Sequence, residues 1–187
     1  MNSIINLKDK KGVIFGIANN RSIAWGIAEK LHECGAKLAF SYVNDSIKKR
    51  VVPLAEKCDS NLVFECDVKD DKSITSFFSK LSEKWSEIDF IVHSIAYSDK
   101  DELKGDYVDT TRENFLNTLE VSCYSLTAIC QKAKVLMKND GKILTLSYLG
   151  AERVMPHYNV MGVAKSALET SVKYLAADLG KYNIRIN

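Results

Sequence analysis

The chain has 187 residues, 46% of them hydrophobic and 27% charged, with a formal net charge of +2. That length suits one well-buried domain, and the nearly balanced charge argues against long-range electrostatic capture of nucleic acid or a membrane surface. Two prolines, no Ser/Gly-rich linker and no internal repeat predict a single domain over residues 1–187.

The basic run Lys48-Lys49-Arg50 has no interleaved aromatics and reads as a solvated helix face. Five cysteines with no CxxC pair read as reduced thiols packed as small apolar residues. Three histidines far apart (His32, His93 and His157) show no metal-ligand spacing, so no metal site is expected. The N-terminal stretch Met1 to Gly12 lacks the apolar core of a secretory signal, and no window approaches the ~18 to 20 apolar residues that cross a bilayer. The expectation is a cytoplasmic protein with neither a membrane nor a nucleic-acid partner.

In chain order the patterns predict a strand over residues 12–17, a helix over 22–34, a strand over 37–42, a helix over 45–57 and a strand over 61–66. They continue with a helix over 71–85, a strand over 88–96, one long helix over 111–138, a strand over 142–148 and a helix over 158–179. The last residues, 184–187, read as a sixth strand within which the chain ends. Several strands are continuous apolar runs, as expected where helices cover both faces of a sheet. Strict alternation implies a doubly wound, parallel α/β sheet of the Rossmann-like kind. In such a sheet, ligands bind beyond the carboxyl ends of the strands, so the residues just after each strand are the candidates.

After the first strand, Gly16 stands where the chain must turn sharply and admit a ligand to the backbone. Ser22 occupies an N-cap position, and the helix amino end it opens is an anion site. Gly26 would let that helix pack closely on the sheet. A single loop glycine also fits an ordinary strand–helix turn. The third strand closes with Asp67-Val68, a carboxylate that could accept from an adenine amino group or could cap the next helix instead. The fourth closes with His93-Ser94-Ile95-Ala96, small residues along which a flat ring could pass, or simply a buried strand end. At the second strand's end, Val43 is accompanied by neither an acidic residue for a ribose 2′-hydroxyl nor a base for a 2′-phosphate. Lys48 and Lys49 lie a helical turn further on. NADH is favoured over NADPH.

The fifth strand ends at Ser147-Tyr148, and Pro156 places Tyr158 in or near the first turn of the following helix. Lys165 lies seven residues on; seven steps of ~100° return to within ~20°, ~10 Å along the axis. An ammonium on that face can hold ribose hydroxyls while its charge favours a polarised phenol. The phenol can donate a hydrogen bond to an oxyanion formed as hydride arrives. A surface tyrosine and a surface lysine would share the same spacing.

Three segments carry a resemblance: Ser22 to Ala28 (SIAWGIA), HSIA at His93, and LSYLGAER followed by YNVMGVAK between Leu146 and Lys165. They are similar to the bacterial enoyl-[acyl-carrier-protein] reductases, a branch of the short-chain dehydrogenase/reductase superfamily, whose lysine follows the tyrosine by seven rather than four. The resemblance implies hydride transfer from NADH to the β-carbon of a trans-2-enoyl thioester in fatty-acid synthesis. It implies Tyr158, Tyr148 and Lys165 as catalytic residues, and Gly16, Ser22, Ile23, Val43, Asp67, Val68, Ile95 and Lys165 as cofactor positions. Ser98 falls at a substrate-contact position. Further implications are a substrate carried on acyl carrier protein and a homotetramer built through the helices at 111–138 and 158–179. Relatives continue for roughly another 70 residues, so a chain ending at Asn187 would have an open site and little turnover. A 3-ketoacyl or carbonyl reductase of the same superfamily and a catalytically dead nucleotide-binding fragment are the alternatives.

Overall fold

The computed structural model describes residues 5–138 and 140–187, so the start of the N-terminal stretch read above lies outside the described residues. Six strands, β1 (Lys11–Phe15), β2 (Lys37–Tyr42), β3 (Val63–Glu65), β4 (Phe90–His93), β5 (Lys142–Thr145) and β6 (Arg185–Ile186), form one sheet. Its order is β3-β2-β1-β4-β5-β6, and every pair is parallel. The helices are α1 (Ile23–Glu33), α2 (Asp45–Glu56), α3 (Asp71–Ser82), α4 (Arg112–Leu119), α5 (Ser125–Ala133) and α6 (Asn159–Gly180).

The apolar runs in the strands feed two cores. Val13, Phe15 and Ile91 pack with Ile74, Phe77, Ile129 and Leu168 from α3, α5 and α6. Ile14, Leu38, Phe40 and Val92 pack on the other face with Ala24, Ala28, Val51 and Leu54 from α1 and α2. Alternate side chains of one strand thus serve opposite layers, so neither face can be polar. The strand order reverses between β1 and β4, which splays their connections apart and opens a crevice at their carboxyl ends.

Several expectations need correction, among them that Gly26 packs α1 on the sheet: it is exposed, with open space where a Cβ would stand. The fourth and fifth strands are shorter than the apolar runs that suggested them. Ser94 N still donates to Phe15 O (3.1 Å), but β1 turns away at Gly16 and leaves the following residues without a ladder partner. Likewise, Thr145 N donates to Asn187 O (2.8 Å) at the last point where β5 has a neighbour. The helix predicted over 111–138 is broken: a π-helical turn at Glu120–Tyr124 separates α4 from α5. Ser122 Oγ accepts from Tyr97 N (2.9 Å) and donates to Tyr97 O (3.0 Å), while Ser125 Oγ donates to Val121 O (2.6 Å). These hydroxyl bonds accompany the widened turn; such turns concentrate at functional sites.

The largest core aromatic cluster joins β1, β3 and α3. Phe77 lies 5.0 Å from Phe15, 5.2 Å from Phe78 and 6.0 Å from Phe64, centroid to centroid, and is fully buried. Phe77→Ala should lower unfolding stability by about 3–5 kcal/mol, from lost burial plus the cavity left behind. A shift of the urea midpoint at constant slope would show this, and an unchanged midpoint would contradict the packing.

Candidate active site

Gly16 closes β1 with φ at 92°, in the left-handed region, and a Cβ there would stand 1.9 Å from the Ser94 carbonyl oxygen. The backbones of β1 and β4 therefore meet where the crevice begins, and only glycine fits. A cleft of about 560 Å³ follows, lined among others by Gly16, Val43, Asp67, Val68, Ile95 and Tyr97. That volume is in the range of small-molecule sites. Ser22 is the N-cap residue of α1, yet its side chain makes no capping bond; its hydroxyl donates to Asn19 O (2.7 Å) instead. The expected side-chain cap is thus absent, and the first amides of α1 are left for another acceptor. The Ile23 side chain is exposed.

Asp67 does not cap the next helix. Its carboxylate accepts from Lys69 N (3.0 Å), whereas the cap of α3 is Asp70, which accepts from Lys72 N (2.9 Å). Asp67 is half-buried on the cleft wall with acceptor capacity remaining.

At the carboxyl end of β5 three further groups converge. The Tyr148 and Tyr158 rings meet edge to face, with centroids 4.8 Å apart and an interplanar angle of 62°. Lys165, only 6% exposed, donates from Nζ to Leu146 O at 2.7 Å. Tyr158 is the N-cap of α6, outside its regular turns, with φ at −119°. The shared helix face expected from seven helical steps is accordingly replaced by a non-helical tyrosine leaning back onto the turn after β5. Nor does the lysine lower the phenol's pKa: burial and the neighbouring Tyr148 hold it above its ordinary value. Burial pulls the Lys165 ammonium below its own, against the opposing pull of the Glu169 carboxylate. An ammonium has three N–H donors, and one is spent on Leu146; the other two can serve a diol.

The profile of the enoyl-(acyl carrier protein) reductase family matches residues 16–187. Across 181 residues the chain is 57% identical to "Enoyl-[acyl-carrier-protein] reductase [NADH] 1" of Rhizobium meliloti, covering 97% of this chain and 66% of the relative. This chain belongs to the enoyl-[acyl-carrier-protein] reductase family. It spans about two thirds of the length of that curated relative. The crystal structure of the reductase FabI from Candidatus Liberibacter asiaticus superposes with a TM-score of 0.97 at 54% identity, covering 98% of this chain and 72% of that one. A structure of the Anaplasma phagocytophilum reductase in complex with NAD matches with a TM-score of 0.95 at 56% identity, over 98% and 70% of the two chains.

Ser98, expected at a substrate-contact position, is turned into the interior. Ser98 is buried, and its hydroxyl is engaged with Thr118 Oγ1 (2.8 Å) and Asn114 Nδ2 (3.1 Å). Its side chain faces an interior network with Asn114 and Thr118.

Two residues have parts that the sequence reading did not assign. Gly162 occupies the position four after the tyrosine, and a Cβ there would stand 2.7 Å from the Gly150 carbonyl oxygen. A Cβ on Gly150 would in turn strike the Tyr158 ring at 2.4 Å. A lysine at 162 is therefore sterically excluded, which explains the longer spacing to Lys165. His93, fully buried, bridges Ser125 Oγ (Nε2, 2.8 Å) and Thr145 Oγ1 (Nδ1, 2.9 Å). Ser125 spends its proton on Val121 O (2.6 Å), so it accepts from Nε2–H, and Nδ1 then accepts from Thr145 Oγ1 (2.9 Å), a shorter contact than that hydroxyl makes with the His93 carbonyl (3.2 Å). Nothing in one sequence marks these groups as linked.

Gly16→Ala should weaken NADH binding at least tenfold, because the Ser94 carbonyl must move out of the cleft wall. A fluorescence titration checks this, and wild-type affinity would contradict the close approach. Burial, reinforced by the Lys165 charge, lowers the His93 pKa from 6.5 to about 3. Between those values the unfolded chain binds a proton that the folded one refuses, so stability falls as pH falls through that window and is retained above it. His93→Gln should show a shallower loss from pH 6.5 to 4 than the wild type in urea unfolding. Parallel slopes would contradict a buried neutral imidazole.

Proposed function

We propose that this chain carries the dinucleotide-binding and substrate-activating residues of an NADH-dependent reductase. Its substrates would be trans-2-enoyl thioesters borne on acyl carrier protein, in fatty-acid synthesis. The observation that carries the reading is the edge-to-face pair of Tyr148 and Tyr158 beside a buried Lys165, on the same sheet edge as a cleft floored by glycine. The membership of the family and the relatives named for NADH support it.

The residues fit the cofactor. Gly16 leaves room that a Cβ would fill, and the amides after Ser22 and Ile23 suit a pyrophosphate. Asp67 and Val68 suit an adenine, Ile95 a ribose or ring face, and Val43 the rim of the adenosine end. NADH held there would supply hydride to the β-carbon of the enoyl group. Lys165, with two unspent N–H donors, holds the nicotinamide ribose.

Tyr158 donates its phenolic hydrogen bond to the thioester carbonyl and strengthens it as negative charge builds on the enolate oxygen. Its raised pKa keeps the phenol protonated at neutral pH, as a donor requires. The enolate then takes a proton from water at the α-carbon. Tyr148, 47% exposed, supplies a second hydroxyl and one wall against which Tyr158 is oriented. We further infer one domain over residues 1–187, a cytoplasmic setting and a homotetramer; among the described residues no helix is long and apolar enough to cross a membrane.

The full-length protein should oxidise NADH on addition of a 2-enoyl thioester and not of a 3-ketoacyl thioester. Tyr158→Phe or Lys165→Ala should cut that rate by ~10² or more. Near-wild-type rates in both variants, or a preference for the ketoacyl thioester, would overturn these assignments.

A further inference from the structure

Tyr158 sits between two residues in the left-handed region, His157 with φ at 58° and Asn159 with φ at 36°. Few residues other than glycine adopt such angles, and asparagine does so most readily when its short amide bonds nearby backbone. The Asn159 amide reaches much further. Its Nδ2 donates to Glu102 O (3.2 Å) and Gly105 O (3.3 Å), 57 and 54 residues back in the chain.

Those carbonyls belong to the loop between β4 and α4, which is fastened elsewhere too. Tyr97 is bonded through both backbone groups to Ser122, and Asp99 N donates to Asn114 Oδ1 (3.0 Å). The Glu102 carboxylate accepts from Thr111 N (3.0 Å) and Thr111 Oγ1 (2.7 Å) at the start of α4. The loop is thus a strap held at its base by the π-helical turn and at Glu102 by α4. Asn159 is the side chain that ties it to the segment bearing Tyr158.

Tyr158 needs such a tie. As the N-cap of α6 it stands outside the regular turns of that helix, with φ at −119°, and its ring is only half-buried. Its orientation toward Tyr148 follows from the backbone angles on either side. Released from the strap, Asn159 could relax toward right-handed values and rotate Tyr158 away. We propose that Asn159 is a positioning residue for the reaction, coupling the loop at Glu102–Gly105 to the orientation of Tyr158. This rests on the reading of Tyr158 as the donor to the thioester carbonyl.

Two variants of the full-length protein test it. Asn159→Asp keeps the shape and the tolerance for a left-handed angle, but turns two donors into acceptors that face two carbonyls. Asn159→Gly keeps the backbone freedom without any tether. Both should lower kcat by roughly tenfold to a hundredfold, with the NADH dissociation constant, read by fluorescence, within about twofold of wild type. In Asn159→Asp the introduced carboxyl can donate again only when protonated. Its rate relative to wild type should therefore recover as pH falls from about 8 to about 5, while Asn159→Gly shows no recovery. Amide exchange at residues 102–106 should quicken in both.

Wild-type kcat in both variants, a matching loss of NADH affinity, or an Asn159→Asp defect that does not respond to pH would each overturn the positioning role. A wild-type protein that binds NADH without enoyl-dependent oxidation would sink the function reading and this role with it. Unchanged exchange at 102–106 would refute the coupling to the loop and overturn this role, while leaving the function reading standing.

Discussion

A charged ammonium that is 6% exposed must be compensated, because an unpaired buried charge costs several kcal/mol. Lys165 meets this demand with one bond to a main-chain carbonyl, Leu146 O, and with the more distant Glu169 carboxylate. The arrangement is costly for stability alone, since an apolar side chain would pack there without such compensation. It makes sense as a preorganised donor whose remaining hydrogens await a ligand. Everything nearby accommodates it. His93, which could have carried a second positive charge, is held neutral in one tautomer between two hydroxyls. The chain after β5 is bent so that a carbonyl points at the ammonium.

The same bend sets the tyrosines. Gly150 lies under the Tyr158 ring, and Gly162 lies under the Gly150 carbonyl, so α6, the turn after β5 and the phenol stack without intervening side chains. A lysine one helical turn from the tyrosine would break that stack. The seven-residue spacing is thus a steric consequence of how α6 meets the turn, and Lys165 reaches the strand end from deeper in the helix.

A second constraint operates at the crevice. A parallel sheet directs the carboxyl ends of its strands to one edge, and the order reversal between β1 and β4 leaves a gap there. Gly16 lets the two backbones touch at its base, and His93 joins the end of β4 to β5 and α5. The cleft and the tyrosine pair are therefore parts of one rigid edge, and the strap after β4 runs between them.

Much of this was legible in the chain alone. The alternation of apolar strands with longer helical periods required a doubly wound sheet, because runs such as those of β1 and β4 must be buried on both faces. Gly16, Asp67, Tyr148, Tyr158 and Lys165 could be marked because each stands just after a strand or on the helix that follows one, where such a sheet meets its ligands. Local pattern could not show that Tyr158 lies outside α6, that Asp70 rather than Asp67 caps α3, or that Ser122 accompanies a break in a helix of unbroken period. Nor could it show that Ser98 turns inward, or that Asn159 reaches back more than fifty residues to hold a loop. Those features depend on hydrogen bonds and close contacts between segments remote in sequence. Periodicity reports which face of an element is apolar; it does not report which distant carbonyl, hydroxyl or ring that face will meet. Which elements form and which edge carries the chemistry were decided by the sequence, whereas the orientation of each group on that edge was decided by tertiary packing.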